Sequence, residues 1–288
     1  MIESDAASVT PNASAPPPRG GRRARRSPAP LAWGLLLGAV ASATFVAIAA
    51  ASERQALWQV VRACIADYRL SGSPFPCLAV DLAGGDGRGH VVLRRPLGPP
   101  DTILAPTRKI VGLEDPWLQS PAAPNYFAAA LDARAFVAGA DGATLKLDEA
   151  ALAVNSRFSR TQDQLHIHIG CLSARARRTL EASVAALKIR AWGRVGALAP
   201  ETAFWGWRTG QANLDGVEPF RLAAERLAGK SADLGRLMIA VAGTRIAGRD
   251  ELVVLAADVG VATSRGLVSA EAILGLDCSE SARSSDAD

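Results

Sequence analysis

Residues 147–172 read LDEAALAVNSRFSRTQDQLHIHIGCL and contain two of the chain's three histidines. Two short, mostly apolar segments, 147–156 and 164–172, flank a polar centre, which predicts two strands joined by a loop. Side chains alternate between the two faces of a strand, so the second strand should have one wholly apolar face and one polar face. The apolar face, which must be the core side, carries Leu165, Ile167, Ile169 and Cys171; the other carries Gln164, His166, His168 and Gly170.

The flanking sequence predicts further helices and strands in irregular alternation. Apolar periodicity and turn signals place helices at 53–69, 124–138, 173–191 and around 220–228, and strands at 90–95, 101–107, 236–243 and 251–259. The glycine-rich stretch 84–90 leads into a strand; a phosphate-binding loop would instead open a helix, so a β-hairpin is expected. Recurring hairpins and scattered helices predict an α+β fold with a mainly antiparallel sheet and flanking helices.

The N-terminus is organised differently from the rest of the chain. Residues 1–30 are rich in Ser, Ala and Pro and predict a disordered, basic tail. Residues 31–51 carry no charge and are long enough to cross a membrane as a helix. Because arginines precede this span, the tail should be cytoplasmic and the domain at 52–288 periplasmic, with the chain single-pass in a bacterial inner membrane. An uncleaved anchor is favoured by the length of the span, and a cleaved signal peptide by the small residues near position 51.

The net charge of +4 owes most to the N-terminal tail, where five of the 32 basic residues but only two of the 28 acidic residues lie. The predicted domain is therefore close to neutral. A nucleic-acid-binding domain usually concentrates basic charge on its own surface. The charge distribution argues against that class.

All four cysteines follow the predicted span, and an even number fits two disulfides in an oxidising compartment. Three pairings are formally open. We expect Cys64–Cys77, across a short loop, and Cys171–Cys278, which would tie the C-terminal region to the core. A zinc site is the alternative, but the chain has no CxxC spacing to favour it.

The two neighbouring histidines allow three interpretations: chance surface residues, a metal-binding pair, or a nucleophile with a partner. A metal pair would need a third ligand, and the remaining histidine, His90, is distant in sequence. The preceding segment contains typical phosphate partners, namely Asn155, Ser156, Arg157, Arg160 and Thr161. Arginines would repel a cation, so the pattern favours phosphoryl or nucleotidyl chemistry with a histidine nucleophile and predicts no metal or cofactor.

Three segments together resemble a known family: LAVNSRFSRTQDQLHIHIGC at 152–171, LAPTRKIVGLEDP at 104–116 and PNYFAAALDARAF at 124–136. With the four cysteines and the N-terminal span, they look like the membrane-anchored CDP-diacylglycerol pyrophosphatases, and the histidine strand resembles the histidine-triad (HIT-like) superfamily. The resemblance covers most of residues 55–278. It implies a HIT-like fold and hydrolysis of the membrane lipid CDP-diacylglycerol to CMP and phosphatidate.

The resemblance also implies roles for individual residues. His166 takes the middle position of the triad, that of the nucleophile that forms a cytidylyl-histidine, and His168 takes the last position, that of a phosphate ligand or a support for the nucleophile. The other residues expected around the phosphates and nucleotide are Asn155, Arg157, Arg160, Thr161, Gln164 and Lys109.

One position departs from the family pattern. Gln164 occupies the first position of the triad, where the family usually has a histidine, and an amide can hydrogen-bond but cannot titrate. Two other functions therefore remain open: transfer of CMP to an acceptor other than water, and a non-catalytic periplasmic module that binds nucleotide or metal. Trp192, Trp205 and Trp207 are candidates for a lipid-facing groove, with plain core aromatics as the alternative.

Overall fold

The computed structural model describes residues 53–85, 87–95, 102–139, 142–200, 202–227, 233–259, 268–275 and 278. The predicted tail at 1–30 and span at 31–51 lie outside the described residues. Within the described ranges, no helix has both the length and the apolar character that a membrane crossing requires.

The described residues form four α-helices and nine strands. The helices are α1 (Ala56–Ser71), α2 (Tyr126–Asp132), α3 (Ala174–Val184) and α4 (Pro219–Leu227). The strands are β1 (Ala79–Asp81), β2 (His90–Arg94), β3 (Thr102–Pro106), β4 (Ala150–Val154), β5 (Ile167–Cys171), β6 (Trp192–Ala199), β7 (Thr202–Arg208), β8 (Leu237–Ile246) and β9 (Arg249–Asp258). Short 3₁₀ turns lie at Pro116–Gln119, Ala133–Phe136, Leu147–Glu149, Leu234–Arg236 and Ala270–Ile273.

These nine strands form one antiparallel sheet in the order β1-β2-β3-β5-β4-β8-β9-β7-β6. The predicted α+β class with a mainly antiparallel sheet is confirmed. Strand β5, which carries His168, pairs with β3 on one side and with β4 on the other. The histidine strand is therefore an interior strand, held on both edges.

Helices cover both faces of the sheet. In the ladder, His168 lies between Ile103 of β3 and Ala153 of β4, and we call the face carrying these three residues the histidine face. On this face, α1 packs over β2 and β3, and α3 packs together with the 3₁₀ turn Ala270–Ile273 over β4, β8 and β9. Helices α2 and α4 cover the opposite face, which carries Ile167 and Ile169.

The predicted alternation in the histidine strand is confirmed, but its predicted start is not. Leu165, Ile167 and Ile169 are buried in the core of the opposite face, as expected. The strand begins at Ile167 instead of Gln164, because its ladder with β3 ends at the pair Leu104–Ile167 and its ladder with β4 ends at the pair Ala153–His168. Beyond that point Leu165 donates its backbone N–H to Ile110 O at 2.6 Å. His166 consequently lies just before the strand, where it is only partly buried.

The stretch 192–208 forms β6 and β7, which the sequence did not predict. Glycines interrupt the apolar alternation there, and two of them lie directly against neighbouring apolar side chains. A Cβ on Gly193 would lie 2.4 Å from Leu187 Cδ2, and one on Gly206 would lie 2.4 Å from Val195 Cγ2. The predicted helix at 124–138 is also shorter than expected: α2 spans Tyr126–Asp132 and the chain then tightens into a 3₁₀ turn.

Both expected disulfides are present. Cys64–Cys77 joins α1 to the segment before β1, and Cys171–Cys278 joins the end of β5 to the C-terminal region. Ser173 caps α3 as predicted, because its side chain accepts the Ala176 N–H.

Candidate active site

The two histidines lie on the histidine face between the layer formed by α1 and the layer formed by α3. Small side chains flank them: Ala153 adjoins His168 in the ladder, and the register of β3 with β5, continued by one pair, sets Ala105 beside His166. These small neighbours leave room for two imidazole rings on a covered sheet. His168 is 2% exposed, whereas His166 is partly exposed and therefore the more accessible of the two.

The His166 ring is fixed by a hydrogen bond to the backbone. Its Nδ1 lies 2.8 Å from the carbonyl oxygen of Gln164. A carbonyl oxygen only accepts, so Nδ1 carries the proton and Nε2 of the neutral ring carries the lone pair. The ring of His168 supports it edge-on, with 4.7 Å between ring centroids and 68° between the planes. In its neutral form, His166 thus presents Nε2 as its lone-pair nitrogen in a fixed orientation.

Gln164 is fully buried and holds the neighbouring chain segment in place. Its Nε2 donates to the carbonyl oxygens of Pro106 and Arg108, both at 3.0 Å. The same residue's backbone carbonyl orients His166. This geometry favours a role in bracing the site, and the predicted contact of its side chain with substrate remains a prediction.

A carboxylate that sequence reasoning missed lies beside His168. Glu271 Oε1 is 3.3 Å from His168 Nε2 and accepts a hydrogen bond from Asn155 Nδ2 at 2.7 Å. Arg95 Nη2 donates to Glu271 Oε2 at 3.1 Å. Continuing the β4–β5 register sets Asn155 beside His166. The predicted site residues Asn155, His166 and His168 are therefore together, and Glu271 and Arg95 join them.

The two predicted phosphate-binding arginines are engaged with acidic residues. Arg157 makes a two-pronged hydrogen-bonded pair with Asp233, and Arg160 pairs with Glu114 through two nitrogens, at 2.8 and 2.6 Å. The Arg160 side chain is only 10% exposed, so this pair braces the loop after β4. Phosphate binding by either arginine would require these pairs to open, and the predicted role remains a prediction.

Of the remaining predicted phosphate partners, Thr161 and Lys109 face solvent, whereas Ser156 is fully buried and its hydroxyl lies 3.2 Å from that of Ser159. Thr161 is exposed, and so is Lys109, whose Nζ donates to Gln55 Oε1 at 2.5 Å. Between Thr161 and the histidines, Gln162 accepts the Leu57 N–H at 2.9 Å, and Asp163 forms an ion pair with Arg54. Much of the polar segment after Asn155 therefore holds α1 against the sheet.

The pair of Glu114 and Arg160 predicts a pH-dependent contribution to stability. Burial alone would raise the pKa of the Glu114 carboxyl, but the hydrogen bond and charge of Arg160 outweigh it and hold that pKa below the ordinary value of 4.5. The stabilisation is therefore present above that ordinary value and is lost as the pH falls through the lower, folded-state pKa. We expect Glu114→Gln to lower the free energy of unfolding at pH 7 by about 1–2 kcal/mol.

Urea unfolding at pH 7 and at about pH 3 checks this expectation, since the difference from wild type should shrink in acid. Glu225→Gln is the matched control, because Glu225 is exposed on α4. An equal loss of stability at both pH values would contradict the assignment.

Comparisons with known proteins identify the family of the chain. A sequence model of the family described as CDP-diacylglycerol pyrophosphatase matches residues 52–282. The chain belongs to the CDP-diacylglycerol pyrophosphatase family. It is 35% identical over 191 residues to the CDP-diacylglycerol pyrophosphatase of Yersinia pestis, covering 66% of this chain and 72% of that protein. It is 39% identical over 124 residues to a probable CDP-diacylglycerol pyrophosphatase of Mycobacterium leprae, covering 43% and 45% of the two chains.

The match to the CDP-diacylglycerol pyrophosphatase family extends over both halves of the histidine site. It includes the strand pair β4–β5 and the C-terminal turn that carries Glu271, about a hundred residues further along the chain. Among the described residues, no cluster of three or more His, Cys, Asp or Glu side chains is arranged to hold a metal ion. No local sequence signal marks Glu271, because its contacts are made only through the fold.

The three tryptophans do not line the histidine site. Trp205 and Trp207 pair with Ala256 and Val254, whose side chains belong to the core of the opposite face, and Trp192 pairs with Trp207. Strand β7 is also four ladder positions from β5, roughly 19 Å along the sheet. Trp192 and Trp207 pack against the core of that face, as the alternative of core aromatics predicts, and a lipid-facing groove at these tryptophans remains a prediction.

Proposed function

We propose that this protein hydrolyses the pyrophosphate bond of CDP-diacylglycerol to CMP and phosphatidate, with His166 as the nucleophile. Family membership supports the reaction and the substrate. The observation that carries the mechanism is the hydrogen bond from His166 Nδ1 to the Gln164 carbonyl, which places the lone pair of the neutral ring on Nε2. Neutral imidazole is a suitable nucleophile near pH 7 because it is unprotonated yet basic.

In the first step, Nε2 of His166 attacks the phosphorus on the CMP side. An N–P bond forms, the P–O bond to the lipid phosphate breaks, and phosphatidate leaves as a phosphate monoester. The ring becomes a cytidylyl-imidazolium, and its Nδ1–H remains bonded to the Gln164 carbonyl, an acceptor that favours the developing positive charge. In the second step, water attacks the same phosphorus and loses a proton to solvent, the N–P bond breaks, and CMP and neutral His166 are restored.

The cationic and polar groups near His166 suit a diphosphate. Arg95 is 37% exposed at the side chain and lies within the same cluster as His168, so its guanidinium has access to a bound anion. Arg157 and Arg160 belong to the loop after β4, and we retain them as proposed phosphate partners. To bind substrate, each would break its pair with Asp233 or Glu114 and bond to the phosphate oxygens instead.

A turnover assay on the full-length protein in detergent–lipid micelles tests the reaction. CDP-diacylglycerol should yield CMP and phosphatidate in equal amounts, with added glycerol or phosphate leaving the products unchanged. A cytidylylated acceptor would instead show a transferase. Tight CMP binding without turnover would show a non-catalytic binding module.

We further propose that residues 31–51 anchor the domain on the periplasmic side of the inner membrane. The uncharged span after the arginine cluster supports this placement, as do two disulfides, which persist in an oxidising compartment. Carbonate-washed membranes should retain the full-length chain, with its thiols blocked to alkylation until a reductant is added. Free thiols in freshly lysed cells would contradict the periplasmic placement.

We also assign the domain to the HIT-like superfamily. The support is the alternation of histidine with apolar residues in the interior strand β5 of an antiparallel sheet. An experimental structure with bound CMP tests this assignment. The cytidine phosphate should contact His166 Nε2 in this proposal, and a nucleotide bound elsewhere would overturn it.

A further inference from the structure

Groups from three different parts of the chain converge on the Glu271 carboxylate. Oε1 lies 3.3 Å from His168 Nε2 and accepts from Asn155 Nδ2 at 2.7 Å, while Oε2 accepts from Arg95 Nη2 at 3.1 Å. Two of the three contacts are hydrogen bonds donated to the carboxylate, and the third is the close approach of the His168 ring nitrogen. Glu271 thus links Arg95 at the end of β2, Asn155 at the end of β4 and the buried His168 of β5.

This convergence changes the role of Asn155. Its Oδ1 accepts from Ser269 Oγ at 2.9 Å and from the Ala270 N–H at 2.7 Å, while its Nδ2 donates to Glu271. The side chain is buried, at 6% exposed, and both ends are used within the fold. Asn155 therefore fixes the turn that carries Glu271, which is a different task from the contact with the nucleotide that the family resemblance implied.

The segment carrying Glu271 is held firmly on the histidine face. Ala270 and Ile273 are fully buried, the Ser173 N–H donates to Ile273 O at 2.9 Å, and the Gly275 N–H donates to Cys171 O at 2.8 Å. The Cys171–Cys278 disulfide lies immediately beyond. A carboxylate held in this way can orient a neighbouring ring with little loss of conformational freedom during the reaction.

The orientation reaches His166 through His168. His168 Nε2 lies 3.3 Å from Glu271 Oε1, and the His168 ring meets that of His166 at 68° with centroids 4.7 Å apart. A rotated His168 would remove this edge contact and loosen the ring of His166.

We propose that Glu271 is a positioning residue that fixes the tautomer and orientation of His168, and through it the ring of His166. The inference rests on the proposed function, since it needs His166 as the nucleophile. Arg95 and Asn155 keep the carboxylate in place without requiring it to touch the substrate. Glu271 is not assigned any bond-making role.

The test compares Glu271→Gln and Glu271→Asp with Glu181→Gln, an exposed position on α3. Glutamine keeps the size of the side chain but replaces one carboxylate oxygen with an amide NH2 group, which donates hydrogen bonds and cannot accept them. We expect kcat to fall roughly 10–100-fold in Glu271→Gln with KM within about twofold of wild type. Glu271→Asp should lie between the two, because it keeps the carboxylate on a shorter chain. Glu181→Gln should match wild type.

Nitrogen-15 imidazole spectra supply a readout that does not depend on turnover, and with three histidines in the chain they are assignable by single substitutions. Wild type should show His168 protonated at Nε2, and Glu271→Gln should show a shifted or mixed tautomer. A wild-type kcat together with an unchanged His168 spectrum in either folded Glu271 variant overturns the inference. Failure of the proposed function is distinct: wild type itself would then form no cytidylyl-histidine.

Discussion

Replacing His166 with Ala is expected to reduce kcat/KM for CMP release by roughly 10³-fold or more. The substitution removes Nε2, the attacking atom of the proposed mechanism, whose ring is oriented by the Gln164 carbonyl. Neighbouring groups would still bind the diphosphate, so KM should change far less than kcat. The measurement is steady-state CMP release from CDP-diacylglycerol by the full-length variant.

The third histidine provides the control. His90 begins β2 and its neighbour Val91 packs on the histidine face, so the His90 side chain lies on the opposite side of the sheet. His90→Asn should retain activity near the wild-type level. Full activity in His166→Ala would remove the histidine nucleophile from the account, and equal losses in both variants would point to a folding defect.

The second large effect is expected from the Cys171–Cys278 disulfide. Replacing both cysteines with Ala opens a loop with a sequence separation of 107 residues. Loop entropy predicts a loss of about 4–5 kcal/mol in the free energy of unfolding. We also expect kcat to fall roughly tenfold or more, since the bond tethers the segment that carries Glu271, and small displacements near reacting groups are costly. Urea unfolding and turnover at low temperature, where the variant stays folded, measure the two effects separately.

The Cys64–Cys77 disulfide offers a matched comparison. Its sequence separation is 13 residues, and it joins α1 to the segment before β1. The corresponding double Ala variant should lose about 3 kcal/mol of stability but keep its kcat when folded. If both double variants lost activity in proportion to stability alone, the C-terminal tether would have no separate role in the site.

The elements that the sequence predicted are those encoded by local patterns. The alternation from Leu165 to Cys171, the cap at Ser173 and the hairpin signals around His90 each depend on neighbours within a few residues. The same is true of the pairing of the two histidines on one face. Both disulfides also followed from simple considerations of loop length and position.

Long-range partners account for what the sequence did not show. Arg157 and Arg160 suit phosphate by type, but Asp233 and Glu114 reach them from 76 and 46 residues away. Glu271 lies 116 residues from Asn155 and meets it only because the C-terminal turn packs on the histidine face. Residue type alone could not distinguish a residue that binds substrate from a residue that holds another side chain in position.

Gln164 shows how a departure from a family pattern can be compatible with the site. Its amide is buried against two backbone carbonyls, and its own carbonyl, which any residue at this position would supply, orients His166. The group at this position that contacts the His166 ring is therefore the backbone carbonyl, not the side chain. A side chain that cannot titrate leaves that contact intact.

The most direct test of the central claim is a rapid-quench experiment with CDP-diacylglycerol labelled in the phosphate on the CMP side. The account predicts a protein-bound label that is acid-labile and base-stable, maps to His166, and is absent from His166→Ala. CMP release by wild type at single-turnover times with no bound label, or with the label on another residue, would contradict it.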